Sequence, residues 1–290
     1  MFPANFGYVA ARSVEEALQL MAQHGEDGKL LAGGHSLIPA MKLRLQSPQT
    51  LIDLGNVPGL RGITLEGNNL VIGALTVHAD IASSELVRKH VPALAEAAAV
   101  IGDVQVRNRG TIGGSVAHAD PAADLPVVLT ALNASFVAQS AAGKRTISVD
   151  DFFTDFYTTA LNANEIVTEI RVPVLSAGTG SAYAKLPHPA SGYVVVSAAA
   201  VISRQASGTC TASRIAIGGL GSGPIRAIAT ELALQGKPLT TQIIAAAATK
   251  AAEETDPVDD SYAGAEYKRH VATVYARKAI EAAVERAARS

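Results

Sequence analysis

Two short segments have the composition to do chemistry: Ala32-Gly33-Gly34-His35-Ser36 and Thr111-Ile112-Gly113-Gly114-Ser115. Each lies where an apolar run gives way to a helix start. Small residues in succession leave their backbone N–H groups accessible, and a serine hydroxyl trails each glycine pair. Such groups hold phosphate without spending formal charge. Taken singly, Gly-Gly before a helix is an ordinary turn. Two such loops on one domain suit a ligand with two phosphates. Neither loop reads G-x-x-x-x-G-K-[ST] or G-x-G-x-x-G, so a P-loop ATPase and a Rossmann nucleotide site are both unsupported.

Other polar residues have plainer readings. In Ala119-Asp120-Pro121-Ala122-Ala123-Asp124, proline suits the first turn of a helix, which makes Asp120 its N-cap. Asp124, one turn on, could accept hydrogen bonds from a ribose or adenine, though by type alone it reads first as a solvated helix charge. Lys185 and Tyr193 bracket Leu186–Gly192; a lysine there could offset charge on a reduced flavin and a tyrosine could stack on its ring, though by type alone they read as a surface lysine and a half-buried tyrosine. His188, between two prolines, could act as an acid or base, though an exposed loop histidine is the plainer reading. The single cysteine, Cys210, falls in an expected hairpin turn and excludes an internal disulfide or a Cys-ligated cluster within these residues. The seven histidines form neither H-x-x-x-H nor H-E-x-x-H, so a metal site has little support. No Ser-His-Asp order or carboxylate pair is distinctive enough to suggest hydrolysis.

The elements that must position these residues follow from pattern. Ser13-Val14-Glu15-Glu16 is a capping box opening a helix to about residue 23, stopped by Gly25. Lys29–Ala32 and Thr50–Asp53 read as short strands around the first loop and an amphipathic stretch, Leu37–Leu45. Gly67-Asn68 joins two strands as a hairpin. Thr76 is expected to cap a helix over 77–83, and Pro92–Ile101 an alanine-rich helix. Asp124–Leu132 reads as helical, Ala134–Gln139 and Lys144–Val149 as a hairpin, and Glu165–Val174 as a strand. Small residues over 175–180 mark an expected domain boundary. Beyond it come a strand (181–186), a long hairpin (193–204 and 209–218) and three helices, near 225–235, 240–254 and 263–289.

The 290 residues suffice for one large or two modest domains. A net charge of −2 without a basic tract makes nucleic acid or an anionic membrane an unsuitable partner. Met1–Tyr8 lacks the basic start and apolar core of a signal peptide, and no apolar run is long enough for a transmembrane segment. A cytoplasmic location is expected.

The stretches AGGHSLIPAMKLRL (32–45), IGDVQVRNRGTIGGSVAHADPAADLP (101–126), ASRIAIGGLGSGPIRA (212–227) and AEYKRHVA (265–272) match a known family in order and spacing. The chain resembles the FAD-binding medium subunit of molybdenum hydroxylases, of the carbon monoxide dehydrogenase and xanthine dehydrogenase type. The resemblance covers nearly the whole length. It implies an α+β architecture: a vanillyl-alcohol-oxidase (PCMH)-type FAD-binding domain over 1–177, built of two α/β subdomains (about 1–55 and 56–177). A C-terminal domain over 178–290 would combine a small antiparallel sheet with a three-helix bundle.

The resemblance also implies roles. Ala32, Gly33, Gly34, His35 and Ser36, with Thr111, Ile112, Gly113, Gly114 and Ser115, would hold the FAD diphosphate through backbone N–H groups. Ile101, Lys185 and Tyr193 would lie near the flavin, and Asp124 would contact the ribose or adenine end. No residue here is given a catalytic role on the organic substrate. A large subunit with the molybdopterin cofactor and a small subunit with two [2Fe–2S] clusters would be the partners, as a dimer of heterotrimers. Electrons would reach FAD from the clusters and leave to NAD, a quinone or O2. Ser115 stands where many relatives carry Asn or Asp. Leu186–Gly192 lacks the basic stretch and the Asp usual before the tyrosine in carbon monoxide dehydrogenases. The substrate stays open among CO, a purine or other N-heterocycle, and an aldehyde. A stand-alone flavin oxidase or reductase, and a scaffold without flavin, are the rival readings.

Overall fold

The computed structural model describes residues 2–290. The first unit is a three-stranded parallel sheet in the order β1-β3-β2 (β1 Gly7–Ala10, β2 Gly28–Leu31, β3 Thr50–Asp53), carrying helices α1 (Val14–His24) and α2 (Leu37–Lys42). Tyr8 and Lys29 both pair with Leu51, on either side of β3. The capping box forms: the Glu16 N–H donates to Ser13 Oγ at 3.0 Å, and the Glu16 carboxylate accepts from the Arg12 N–H at 2.7 Å. Gly25, at φ 53°, ends the helix. α2 is shorter than its amphipathic stretch, and the chain turns away through Arg44 at φ 64°.

The second unit begins with β4 (Ile63–Glu66) and β5 (Asn69–Gly73), joined by the Gly67-Asn68 turn. Six helices follow: α3 (His78–Ser83), α4 (Glu85–His90), α5 (Pro92–Ala99), α6 (Val104–Arg107), α7 (Ile112–His118) and α8 (Asp124–Ala131). Strands β6 (Ser135–Ser140) and β7 (Gly143–Ser148), helix α9 (Val149–Phe152), the small hairpin of β8 (Phe153–Asp155) and β9 (Thr158–Thr159), and β10 (Ile166–Pro173) complete it. The five-stranded sheet runs β4-β5-β10-β6-β7, all antiparallel. All eight residues of α8 are buried. Each large apolar side chain sequestered there is worth about 1.5–3 kcal/mol. That helix therefore sits too deep to shift, which matters because it carries Asp124.

The third unit is the antiparallel sheet β11 (Thr179–Pro187), β12 (Val194–Arg204), β13 (Cys210–Gly218) and β14 (Ile225–Arg226). Helices α10 (Ile228–Leu234), α11 (Thr241–Ala248) and α12 (Ala265–Ala287) pack with it. A Cβ on Gly180 would lie 2.1 Å from the Ala283 carbonyl, so α12 rests directly on β11. The other side of this unit is tied to α8, where Arg214 donates to Thr130 O at 3.0 Å and to Asp150 at 2.8 Å.

Several local expectations are corrected. Thr76 does not cap α3; Val77 takes the N-cap, and the Thr76 hydroxyl instead accepts from the Gly62 N–H at 3.0 Å. Asp120 is not an N-cap either. Its carboxylate accepts from the Ala122 N–H at 2.9 Å in a local turn, and α8 starts at Asp124 behind Ala123. Residues 225–226 pair as a strand, so the helix expected from 225 begins at Ile228. The helix expected to reach 254 stops at Ala248. Cys210 is a buried first residue of β13 rather than part of a turn.

Candidate functional site

The first glycine loop fills the space between the end of β2 and the start of α2. A Cβ on Gly33 would stand 2.2 Å from the Arg109 carbonyl oxygen and 2.9 Å from Gly110 Cα. Only glycine permits that approach. Gly34 adopts φ 77°, in the left-handed region. Among the described residues, the backbone N–H groups of Gly33, Gly34, His35 and Ser36 have no hydrogen-bond acceptor. The carbonyls of Gly34 and Ser36 are used, by the N–H groups of Ile38 (3.0 Å) and Ala40 (3.1 Å). Four successive free donors in a glycine bend suit an anion, and a diphosphate fits them.

The second loop works differently. Its N–H groups are already spent: Ile112 on Thr76 O (3.0 Å), Gly113 on Ala74 O (2.8 Å), Gly114 on Thr111 Oγ1 (3.1 Å) and Ser115 on Thr111 O (3.0 Å). The N–H groups of residues 112–115 are thus engaged within the fold, unlike those of the first loop. Thr111 caps α7, and residues 112–113 are stitched to 74–76. What the glycines supply is closeness. A Cβ on Gly113 would lie 2.5 Å from Ala74 Cβ, and one on Gly114 would come within 3.8 Å of Ala32 Cβ. The two loops thus face each other, leaving the Ser115 hydroxyl without a partner among the described residues.

Asp124 and Lys185 meet each other. Lys185 Nζ lies 2.7 Å from Asp124 Oδ1, and the side chains are 6% and 5% exposed. The Tyr183 hydroxyl donates to the same oxygen at 2.8 Å, and Lys185 Nζ also donates to the Gly192 carbonyl at 2.9 Å. Burial pushes the Asp124 carboxyl up, while Lys185 and Tyr183 oppose that. Neither residue is the solvated charge its type suggested.

Tyr193 stands at the end of the loop that Lys185 holds, and is 44% exposed. The Val194 N–H donates to Ala122 O at 3.1 Å, docking this loop beside Asp120. A Cβ on Gly192 would lie 3.5 Å from Gly102 Cα, which brings Ile101 and Tyr193 into one neighbourhood. Arg107 Nη1 fixes that corner by donating to the carbonyls of Ile101 (2.9 Å) and Gly102 (3.1 Å). Burial raises the Tyr193 phenol, the Asp120 carboxylate adds to this, and the Ser36 hydroxyl opposes it. His188 Nδ1 faces the N–H groups of Ala190 and Ser191 at 3.3 Å, a local loop contact. His35 is exposed. Asp120, Tyr157, Tyr183 and His78 also belong to this neighbourhood. Sequence gave no periodic signal for them beyond their polarity. No group of three or more His, Cys, Asp or Glu able to hold a metal exists among the described residues.

A glycine bend with four free amides, closed on by a second glycine loop and flanked by the C-terminal sheet, makes a cradle suited to an anionic cofactor. The chain belongs to the family of FAD-binding medium subunits of molybdenum hydroxylases. Residues 4–175 match the "FAD binding domain in molybdopterin dehydrogenase" and residues 181–283 the "CO dehydrogenase flavoprotein C-terminal domain". The chain is 44% identical to the carbon monoxide dehydrogenase medium chain of Hydrogenophaga pseudoflava, over 99% of this chain and 100% of that protein. It is 40% identical to the 6-hydroxypseudooxynicotine dehydrogenase complex subunit alpha of Paenarthrobacter nicotinovorans, over 99% and 97%. A solved structure of the Hydrogenophaga pseudoflava carbon monoxide dehydrogenase superposes with a TM-score of 0.95 at 46% identity, covering 99% of each chain. Quinoline 2-oxidoreductase from Pseudomonas putida 86 gives a TM-score of 0.94 at 33% identity, over 99% and 100%. No helix among the described residues is long and apolar enough to cross a membrane.

Proposed function

We propose that this chain carries electrons within a three-subunit molybdenum hydroxylase, taking them from [2Fe–2S] clusters of a small partner and delivering them to NAD, a quinone or O2. Substrate oxidation belongs to the molybdopterin cofactor of a large partner, and two such heterotrimers form the whole. The observation that carries the reading is the row of free N–H groups at Gly33–Ser36, set against the Gly113–Gly114 bend.

In this reading Gly33, Gly34, His35 and Ser36 hold the diphosphate by their amides, with the Ser115 hydroxyl as a further donor. Ala32, Thr111, Ile112, Gly113 and Gly114 shape the bend. Bound FAD supplies a carrier that accepts electrons singly and gives them up in pairs. Tyr193 and Ile101 offer an aromatic and an aliphatic face near the flavin ring. Lys185 and Asp124 neutralise each other, and their chief task is to hold the Gly192 carbonyl and so the Tyr193 loop. The domains 1–177 and 178–290 meet at this point. Substrate identity rests with the large partner. Relatives of comparable identity are named for carbon monoxide, 6-hydroxypseudooxynicotine and glyceraldehyde dehydrogenases, so CO, an N-heterocycle and an aldehyde are all compatible with this subunit.

Gentle affinity purification from the native host, recording subunit composition and visible spectrum together, tests the reading. Two partner chains with iron–sulfur and flavin absorption are expected. A lone flavin-bearing chain that turns over a substrate unaided overturns it.

A further inference from the structure

The loop that presents Tyr193 is folded around one side chain. Its ends are joined by the backbone: the His188 N–H donates to Tyr193 O at 2.7 Å, and the Gly192 N–H donates to His188 O at 2.9 Å. Gly192 takes φ 72° in this turn. The amides at the tip have no backbone acceptor among the described residues. They turn inward instead, the Ala190 and Ser191 N–H groups each donating to His188 Nδ1 at 3.3 Å. The Ser191 hydroxyl lies 3.2 Å from the same nitrogen and accepts from the Tyr193 N–H at 3.4 Å. With amide donors aimed at it, Nδ1 is the unprotonated nitrogen of the ring and Nε2 carries the hydrogen. The imidazole is also packed from outside the loop, where the Tyr262 ring meets it at 4.8 Å and 64°. Tyr262 lies in the connection before α12, and its N–H and that of Ala263 donate to Asp260 Oδ1 at 2.7 and 2.8 Å. Asp260 Oδ2 is 2.6 Å from Nζ of Lys268, a buried lysine near the start of α12 that also donates to Val258 O at 3.0 Å. Lys268, within the AEYKRHVA stretch, thus seats the segment whose tyrosine touches His188.

We propose that His188 is a positioning residue for FAD: its Nδ1 folds the 188–193 loop so that Tyr193 is presented to the flavin cleft, and Tyr262, seated by Asp260 and Lys268, holds the imidazole in place. The inference rests on the FAD-carrying reading above. Lys185 grips the same loop at the Gly192 carbonyl, at 2.9 Å, so the loop has one hold near its end and another at its tip. A histidine that merely decorated an exposed loop would leave Nδ1 to water and need no aromatic partner from the segment before α12.

His188→Asn and His188→Leu separate the acceptor from the bulk. An asparagine Oδ1 can take the place of Nδ1 and accept from both amides, whereas leucine fills the space and accepts nothing. The complex, purified with whatever partners this chain carries and stripped of flavin, is titrated with FAD for the wild type, both variants, Tyr262→Leu and the His188→Leu/Tyr262→Leu double variant. The Kd for FAD is expected to rise about threefold to tenfold in His188→Leu, with shifted visible flavin bands, and to stay within about twofold of wild type in His188→Asn. Tyr262→Leu should weaken binding less and add nothing in the double variant, because it acts through His188. Hydrogen exchange of residues 188–193 in the flavin-free complex gives a second readout, faster in His188→Leu and near wild type in His188→Asn. Wild-type Kd and bands in His188→Leu, an asparagine variant as weak as the leucine one, or additive losses in the double variant overturn the role. Failure of the wild-type complex to take up FAD overturns the FAD reading and this inference with it. Faster exchange in His188→Leu beside an unchanged Kd confines His188 to folding its loop and overturns this inference alone.

Discussion

Lys185 on β11 and Asp124 at the first turn of α8 form a buried ion pair of 2.7 Å between the C-terminal sheet and the FAD-binding domain. Two charges removed from water are tolerable only when each satisfies the other. Tyr183 and the Gly192 carbonyl take up part of the remaining bonding capacity. Lys185→Met removes one charge and strands the other. It should cost about 3–5 kcal/mol, the usual penalty for breaking a buried pair. Asp124→Asn keeps the shape and a hydrogen-bond acceptor and should cost less. Urea unfolding midpoints of the flavin-free protein measure both. Lys185→Met should also retain less flavin, because the Gly192 carbonyl loses its donor. A Lys185→Met midpoint equal to the wild type contradicts the pair's structural role.

Gly33 and Gly236 make a controlled comparison. A Cβ at Gly33 collides with the Arg109 backbone at 2.2 Å, whereas one at Gly236, despite φ 70°, meets nothing within 4 Å. Gly236→Ala bears only the left-handed cost of about 1–2 kcal/mol and should keep full flavin. Gly33→Ala must push the segment before the second loop away from the first. It should lose flavin outright, read as the ratio of visible to ultraviolet absorbance. Full flavin occupancy in Gly33→Ala rules out the loop as a diphosphate cradle.

Much of this was legible in the sequence, for identifiable reasons. The capping box at Ser13, the Gly67-Asn68 hairpin and both glycine loops are local chemistry, and local chemistry survives folding. Residues whose role depends on distant partners were misread. Asp124 looked solvated because nothing nearby announces Lys185, 61 positions away. Pro121 suggested a helix start at Asp120, yet the carboxylate closes a two-residue turn and the helix waits for Asp124. The free amides of the first loop and the spent amides of the second cannot be told apart from Gly-Gly alone. Thr76 O and Ala74 O, which make the difference, come from another part of the chain.

Glu165 sets an acid limit. Arg145 grips it with two bonds, Nε to Oε1 at 2.6 Å and Nη2 to Oε2 at 2.7 Å, and the Asn162 N–H adds a third at 2.7 Å. These hold its carboxyl at about 2, below the usual 4.5. A carboxylate depressed in the folded state stabilises fully above about pH 4.5 and loses that contribution as pH falls toward 2. Arg145 is 43% exposed, so solvent weakens the pair, and Glu165→Gln should cost about 1–2 kcal/mol at neutral pH. Between pH 4.5 and 2 the variant should lose stability less steeply than the wild type. Parallel curves in thermal melts over that range contradict the assignment.

His78 is also held below its usual value, here because burial favours its neutral form, and it sits beside the site. It is 5% exposed, its Nδ1 has no partner, and a Cβ on Gly110 would lie 2.8 Å from its ring. Burial, with a smaller push from His35, lowers it to about 4 from 6.5. The unfolded chain therefore takes up the proton first. The contribution to stability is complete above about pH 6.5 and declines as pH falls toward 4, by at most about 1.4 kcal/mol per pH unit. His78→Leu is close in size, carries no charge and removes the orphaned nitrogen. Its stability relative to the wild type should rise steadily as pH drops from 6.5 to 4, with the other histidines common to both and cancelling. Gly110 leads into Thr111 and the second glycine loop, so protonation of His78 presses on the flavin cleft itself. The wild type should then release flavin at a higher pH than His78→Leu when acidified, followed by the rise in free flavin fluorescence. Coincident release curves would confine His78 to packing alone.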